Sequence, residues 1–172
     1  MKPIDPQPVN LVIGILYSDT ELLERGFELL QEKYGPFDHV GKAWPFDSTD
    51  YYLPEMGEPI HRLFCSHRDL VNPGKLAQIK IECNHIEDQL AVNGKRKINL
   101  DPGYLDYDKF VLASAKYSGH KIYLDLGIYA DTTLRYQKGH YVPCEYSFPD
   151  FKSRRYEDEF LTLRTLYKNK LK

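Results

Sequence analysis

Apolar and polar positions change period several times along this chain, and each change marks an element. Asn10 to Tyr17 is a continuous apolar run of strand length, which predicts a central strand. Ser18, Asp19 and Thr20 follow as capping residues, and Ser18 with Glu21 fits a capping box. Leu22, Leu23, Phe27, Leu30 and Tyr34 then keep helical spacing, predicting a helix from Thr20 to Tyr34 that Gly35-Pro36 stops. A second strand is expected over Phe37 to Phe46 and a third over Ile60 to Leu70, paired antiparallel, with a polar and aromatic loop from Asp47 to Gly57 between them. Pro73-Gly74 opens a second helix, whose Leu76, Ile79, Cys83, Ile86 and Leu90 recur every three or four residues before Asn93-Gly94 ends it.

Next, Ile98 and Leu100 alternate with Lys97, Asn99 and Asp101, the period of a half-buried strand. Asp101-Pro102-Gly103 predicts a turn at its end, since proline fixes φ and glycine accepts positive φ. The order so far, β-α-β-β-α-β, predicts an α+β fold with a ferredoxin-like core. Beyond it, the pattern predicts a short helix over Asp108 to Lys116 and strands over Lys121 to Asp125, Ile128 to Gln137 and His140 to Glu145. A closing helix is expected over Ser153 to Leu171, with Tyr156, Phe160, Leu163 and Tyr167 as its apolar stripe and Arg154, Arg155, Arg164, Lys168 and Lys170 as a basic flank. The expected architecture is therefore a ferredoxin-like core extended by antiparallel strands and a C-terminal helix, in a single domain spanning 1–172.

Composition narrows the function classes. A net charge of -2 argues against a general nucleic-acid binder such as a DNA-binding protein, without excluding a local basic pocket. Fourteen Tyr and eight Phe favour half-buried sheet positions and pocket walls. Cys65, Cys83 and Cys144 are odd in number and include no C-x-x-C pair, which argues against a disulfide framework or structural zinc and for a reducing, cytoplasmic compartment. The start, Met1 to Pro6, is unlike a signal peptide, and the longest apolar run, Leu11 to Leu16, is too short to span a bilayer.

Four motifs occur in series: Phe46-x-x-Thr49-x-Tyr51-Tyr52-x-x-Glu55-Met56-Gly57, Asn99-Leu100-Asp101-Pro102-Gly103-Tyr104, Leu112-Ala113-Ser114-x-Lys116 with His120, and Gly127-Ile128-Tyr129-x-x-Thr132-Thr133-Leu134. The series resembles a family of small bacterial proteins classed as a domain of unknown function, and the resemblance spans nearly the whole chain. It implies a bacterial cytoplasmic protein and brings no activity with it, although members are sometimes labelled GTP-binding. A Walker A loop needs G-x-x-x-x-G-K-[ST]. The nearest stretch, Gly35 to Ala43, places Gly41-Lys42 one residue late and Ala43 where a hydroxyl belongs, so P-loop GTP binding is not expected.

Candidate chemistry gathers around these motifs. Asn99 and Asp101 could hold a hard cation such as magnesium or orient a substrate; alternatively Asp101 caps the turn. Glu55, on a loop with Thr49, Tyr51 and Tyr52, could be a general base with a raised pKa, or part of an ordered surface loop. Lys80, Asn84 and Glu87 share one helical stripe that could line a cleft, or remain solvated. Ser114, Lys116, His120 and Lys121 could bind a phosphate or carboxylate with His120 moving a proton; alternatively His120 bonds backbone at a strand start. Tyr123, Asp125, Tyr129, Asp131 and Thr133 could meet Asp101 in an acidic cluster, or pair across a wet sheet face.

The expectation is a small-molecule enzyme or binding protein for an anionic, nucleotide- or phosphometabolite-like ligand. Its pocket would gather Glu55, Asp101, Lys116 and His120 as chemistry-bearing groups, with Thr49, Tyr52, Lys80, Asn84, Asn99, Tyr104 and Ser114 as binding groups. Glu55 or Asp101 would serve as base and Lys116 as charge stabiliser. The alternative is a non-catalytic module that meets RNA or a protein through its aromatic surface and basic last helix.

Overall fold

The computed structural model describes all of residues 1–172. Strand β1, Val9–Tyr17, is buried at every position, as its unbroken apolar run requires. Helix α1, Thr20–Tyr34, follows. Its cap is Asp19, whose carboxylate accepts from Leu22 N at 3.0 Å and suits the positive end of the helix. Ser18, expected to cap, instead donates from Oγ to the Met56 carbonyl at 2.6 Å and ties the helix start to a distant loop.

The expected second strand is split into β2, Phe37–Val40, and β3, Trp44–Pro45, around Gly41, where a Cβ would collide with Glu159. A short helix α2, Leu53–Met56, interrupts the loop before β4, His61–Val71. A 3-10 turn at Pro73–Lys75 leads into α3, Leu76–Gln89. Strands β5, Ile98–Leu105, β6, Lys109–Ser114, β7, Ile122–Asp125, β8, Ile128–Gln137, and β9, His140–Pro143, complete one nine-stranded sheet. Its order is β2-β4-β1-β5-β6-β8-β7, with β3 also on β4 and β9 also on β8, and every pairing is antiparallel. Twice a strand-helix-strand passage leaves a gap that another strand fills: β4 lies between β1 and β2, and β1 between β4 and β5.

The Asp101-Pro102-Gly103 turn does not exist. β5 runs straight through it, with Asp101 opposite Gly14, Pro102 opposite Ile13 and Gly103 opposite Val12 on β1. β6 joins β5 only from Gly103 to Leu105. Alternate residues of a strand send N–H and C=O to the same flank, so Pro102 shares the flank of Leu100, away from β1 and beyond the end of β6. A proline there removes no ladder bond. Gly103 is required by crowding: a Cβ would sit 2.6 Å from the Val111 carbonyl oxygen and 2.8 Å from the Phe110 ring.

The segment expected as a helix over Asp108 to Lys116 is β6. Phe110, Val111, Leu112 and Ala113 are all buried, and a short run covered on both faces reads alike for helix and strand. A separate short helix, α4, Pro149–Lys152, comes first, and the closing helix expected from Ser153 begins only at Glu157, as α5, Glu157–Lys170, with Arg154 at φ 61 between the two.

Two cores follow from the alternation along the sheet. Leu11, Ile13 and Ile15 meet α1 and α3 through Leu23, Leu30, Ile79, Cys83 and Ile86. Val12, Phe64 and Phe110 meet α4 and α5 through Phe151, Tyr156, Phe160, Leu163 and Tyr167 on the opposite face. Beside this second core, Leu16 packs with Phe46, Met56 and Ile60 under the loop that carries α2. No helix is long and apolar enough to cross a membrane.

Candidate functional site

The seam between α4 and the α2 loop, on that second face, is where the polar residues collect. Gly14, in the middle of the apolar β1, makes the seam possible: a Cβ there would lie 3.1 Å from Arg62 Nη1 and 3.2 Å from the Phe64 ring. The Arg62 guanidinium thus reaches from β4 across β1 toward Asp101 on β5. Its Nη1 stands 3.8 Å from Asp101 Oδ2 and its Nε 3.1 Å from Asp150 Oδ2, while the rings of Phe46, Phe151 and Phe64 lie 5.1, 5.7 and 5.8 Å away. The Arg62 side chain is 5% exposed, yet its Nε and the Asp150 Oδ1 are fully buried without a hydrogen-bond partner.

Asp101 accepts from Asn99 Nδ2 at 2.9 Å and lies 3.6 Å from Lys80 Nζ. The flank of β5 that β6 leaves bare explains two buried charges on α3. Lys80 donates to the Leu100 carbonyl at 2.8 Å, and Glu87 accepts from Leu100 N at 2.6 Å, so side chains satisfy the backbone where a strand is missing. Glu87 also pairs with Arg96 Nη1 at 3.0 Å, and the same nitrogen donates to Asn99 Oδ1 at 3.0 Å. Arg96 grips Glu55 with two bonds of 2.8 and 2.9 Å.

These environments assign protons. Arg96 holds the Glu55 carboxyl below its ordinary range, so Glu55 is a clamp and not the base with a raised pKa expected of it. Burial pushes Glu87 upward against the pull of Lys80. Tyr52 is pushed up to about 12 by burial and by the nearby charge of Asp101. Tyr51, exposed, is lowered by the hydrogen bond that Lys116 Nζ donates to its hydroxyl at 2.9 Å. Thr49 supports this loop by accepting from Tyr51 N at 3.2 Å.

A second cluster lies on the same face of β6 and β8. Leu112 is opposite both Gly103 and Asp131, so Asp101, Ser114 and Asp131 point to one side of the sheet. Ser114 Oγ accepts from Lys121 Nζ at 2.9 Å, and that ammonium is 3.6 Å from Asp131 Oδ2. His120 Nε2 lies 3.2 Å from Asp131 Oδ1, its Nδ1 3.1 Å from Ser118 Oγ, and its ring stacks on Tyr146 at 4.5 Å. Tyr51 links the clusters, since Lys116, Arg96 and Glu55 all act on its hydroxyl.

Of the expected site residues, Glu55, Tyr52, Lys80, Asn99 and Asp101 converge at the seam. Lys116 and Thr49 meet on Tyr51, and Ser114 and His120 meet through Lys121 and Asp131. Tyr104 does not belong: it is on the other face of β5, packed against Leu76, Ala77 and Val111. Asn84 is half-buried on α3 between Lys80 and Glu87 but makes no side-chain hydrogen bond with them. The acidic cluster expected of Asp125 and Asp131 with Asp101 does not form, because Asp125 lies exposed on β7 and accepts from its own neighbour, Leu126 N. Arg62, Arg96 and Asp150 went unrecognised in the sequence. The signal for Arg62 was there: a charge at an inward position of an otherwise apolar central strand, His61-Arg62-Leu63-Phe64-Cys65.

No three His, Cys, Asp or Glu side chains converge where a metal ion could sit. Asp101 itself is flanked by Lys80 and Arg62, which disfavour magnesium at that carboxylate. A surface concavity lies elsewhere, against Arg25, Glu28, Gln31, Glu32 and Pro36, and is open and lined by no hydrophobic residue. The basic flank of the last helix is largely engaged inside the chain: Lys170 pairs with Asp38 at 2.7 Å, Arg164 donates to the Tyr107 carbonyl at 3.0 Å, and Arg154 pairs with Glu157 at 3.2 Å.

No curated protein and no solved structure matches the chain. A family model does: residues 7–167 match the one described as Domain of unknown function (DUF4416), a span that takes in both clusters, and the chain belongs to that family.

Proposed function

We propose that this protein binds a small anionic ligand, nucleotide- or phosphometabolite-like, at the seam between Arg62 and Asp101. The carrying observation is Arg62 itself. A guanidinium offers five donors in a fork that matches carboxylate or phosphate oxygens. Here it is enclosed, flanked by two carboxylates, and makes no hydrogen bond with either. Leaving such donors unmade is costly, on the order of 1–3 kcal/mol for a buried polar group and more for a charged one. A ligand with paired oxygens would meet the guanidinium through its Nη atoms, with Nε enclosed beside Asp150.

Lys116, held on Tyr51 at the rim, adds positive charge where a ligand enters, and Tyr52 offers a protonated hydroxyl. With Glu55 committed to Arg96, Asp101 and His120 are the groups able to move a proton, so any turnover rests on them. The cysteines are free and two of them buried, Cys83 with a thiol pushed up to about 12 by burial, which fits a reducing bacterial cytoplasm.

A thermal-shift series with inorganic phosphate, nucleoside monophosphates and sugar phosphates tests the reading. A ligand at a hundred times its Kd adds about 2.7 kcal/mol of stability, several degrees in Tm. Arg62→Lys keeps the charge and removes the fork; it should still melt cooperatively and lose at least tenfold in affinity. Equal affinity in wild type and Arg62→Lys contradicts the reading.

A further inference from the structure

The connection between β6 and β7 carries a serine and a histidine that join an aspartate of β8 in one hydrogen-bonded series. Lys121 N donates to the Ser118 carbonyl at 3.0 Å and closes a tight turn, with Ser118 and His120 on either side of Gly119. His120 Nε2 lies 3.2 Å from Asp131 Oδ1, and its Nδ1 3.1 Å from Ser118 Oγ. Asp131 is 5% exposed, and its other oxygen, Oδ2, faces the Lys121 ammonium at 3.6 Å. The Tyr146 ring stacks on the imidazole at 4.5 Å and 12° from parallel, which fixes the plane of the histidine.

These contacts decide where the imidazole hydrogen sits. A carboxylate only accepts, so the neutral ring carries its hydrogen on Nε2 and presents a lone pair at Nδ1. The Ser118 hydroxyl then donates to Nδ1, the arrangement that readies an oxygen for attack. Ser114, the other serine of the cluster, is not so placed: its hydroxyl accepts from Lys116 N and Lys121 Nζ at 3.2 and 2.9 Å. Ser118 is only half-buried, between the exposed Tyr117 and Gly119, and its hydroxyl bonds nothing but His120. The N–H groups of Gly119 and His120 meet no acceptor in the chain, which leaves two donors next to the serine for a developing oxyanion.

We propose that Ser118 is a nucleophile toward small carboxylic esters, with His120 as its base and Asp131 as a positioning residue. The proposal shares with the reading above the part of His120 in moving a proton, and takes nothing from Arg62. Ser118 Oγ bonds to the ester carbonyl carbon as its proton passes to Nδ1. Nδ1 returns that proton to the alcohol oxygen as the carbon–oxygen bond of the ester breaks. Water then attacks the acyl-serine and gives a proton to Nδ1, and the acid leaves as Ser118 regains its hydrogen.

Phenylmethanesulfonyl fluoride tests this on the full chain, because an Oγ–S bond forms as the S–F bond breaks and fluoride leaves. Peptide mass spectrometry should place the label on Ser118. His120→Gln should label about a hundredfold more slowly with an unchanged melting profile. Arg62→Lys should label at the wild-type rate, so a failed anion site leaves this one standing. Should His120→Gln melt early, long-range 1H–15N correlation of the wild-type ring gives a second reading: its hydrogen should be on Nε2. Asp131→Asn, whose amide can donate to Nε2, should move that hydrogen to Nδ1 and slow the labelling with it. No label on Ser118, equal rates in wild type and His120→Gln, a wild-type ring with its hydrogen on Nδ1, or a rate that falls as far in Arg62→Lys overturns the proposal.

Discussion

Gly14 is the smallest residue in β1 and the one on which the seam depends. Valine there would push the Arg62 guanidinium away from Asp101, since even a Cβ stands 3.1 Å from Nη1. Gly14→Val should cost about 1–3 kcal/mol by overpacking and lower ligand affinity with it, read by urea denaturation and titration. Glu55 makes a pH prediction. Its folded pKa is depressed by Arg96, so the stability it contributes is complete above the ordinary carboxylate pKa of about 4.3 and is lost as pH falls through the lower folded value. The pair is about one-third exposed, with side chains at 30% and 34%, so the effect belongs with surface pairs, at most about 1 kcal/mol. Glu55→Gln should flatten the acid limb of stability between about pH 5 and pH 3 by that amount; an unchanged limb would remove Glu55 from its clamp. These residues were half legible. Glu55, Lys80, Asn99 and Asp101 stand out as polar groups beside apolar runs, but of the partners that define them Arg62 comes from another strand, β4, and Arg96, in the segment just before β5, reaches Glu55 on the distant α2 loop.

At the scale of elements, β5 carries the sharpest test. Proline and glycine in succession read as a turn because both usually bend a chain, yet each has a second use in a strand: a proline on an unpaired flank, a glycine under a close neighbour. Pro102→Ala should therefore shift stability by less than about 1 kcal/mol. Gly103→Ala should cost about 1–3 kcal/mol or more, because its Cβ would meet the Val111 carbonyl at 2.6 Å. Equal effects at both positions would restore the turn. Periodicity predicted α1 and the presence of α3, since both helices are long and one-sided, although α3 begins at Leu76, after a 3-10 turn at the Pro73-Gly74 expected to open it. It failed at β6, which is buried on both faces, and at the break before α5, where Arg154 takes a left-handed conformation that no glycine announces.

For the whole molecule, the middle of the sheet is covered on both faces, and the second face is divided between the α5 core and the α2 loop. Along that division runs a line of polar side chains, with Arg62 and Asp150 buried and Asp101 partly exposed. Phe160 is central to the α5 side, with Phe64, Phe110 and Tyr141 within 5.7 Å between ring centres. Phe160→Ala should cost about 3–5 kcal/mol in denaturant unfolding. The β-α-β-β-α-β order was legible because each element carries its own period; which face the last helix covers was not, because a single amphipathic stripe does not name its partner. The central claim, that the Arg62 fork waits for an anion, is tested most directly by following the Arg62 Nε–H resonance in a 15N-labelled sample titrated with inorganic phosphate and a nucleoside monophosphate. The account predicts a saturable shift of that signal. A phosphate compound that raises Tm while the Arg62 resonance stays unmoved would contradict it.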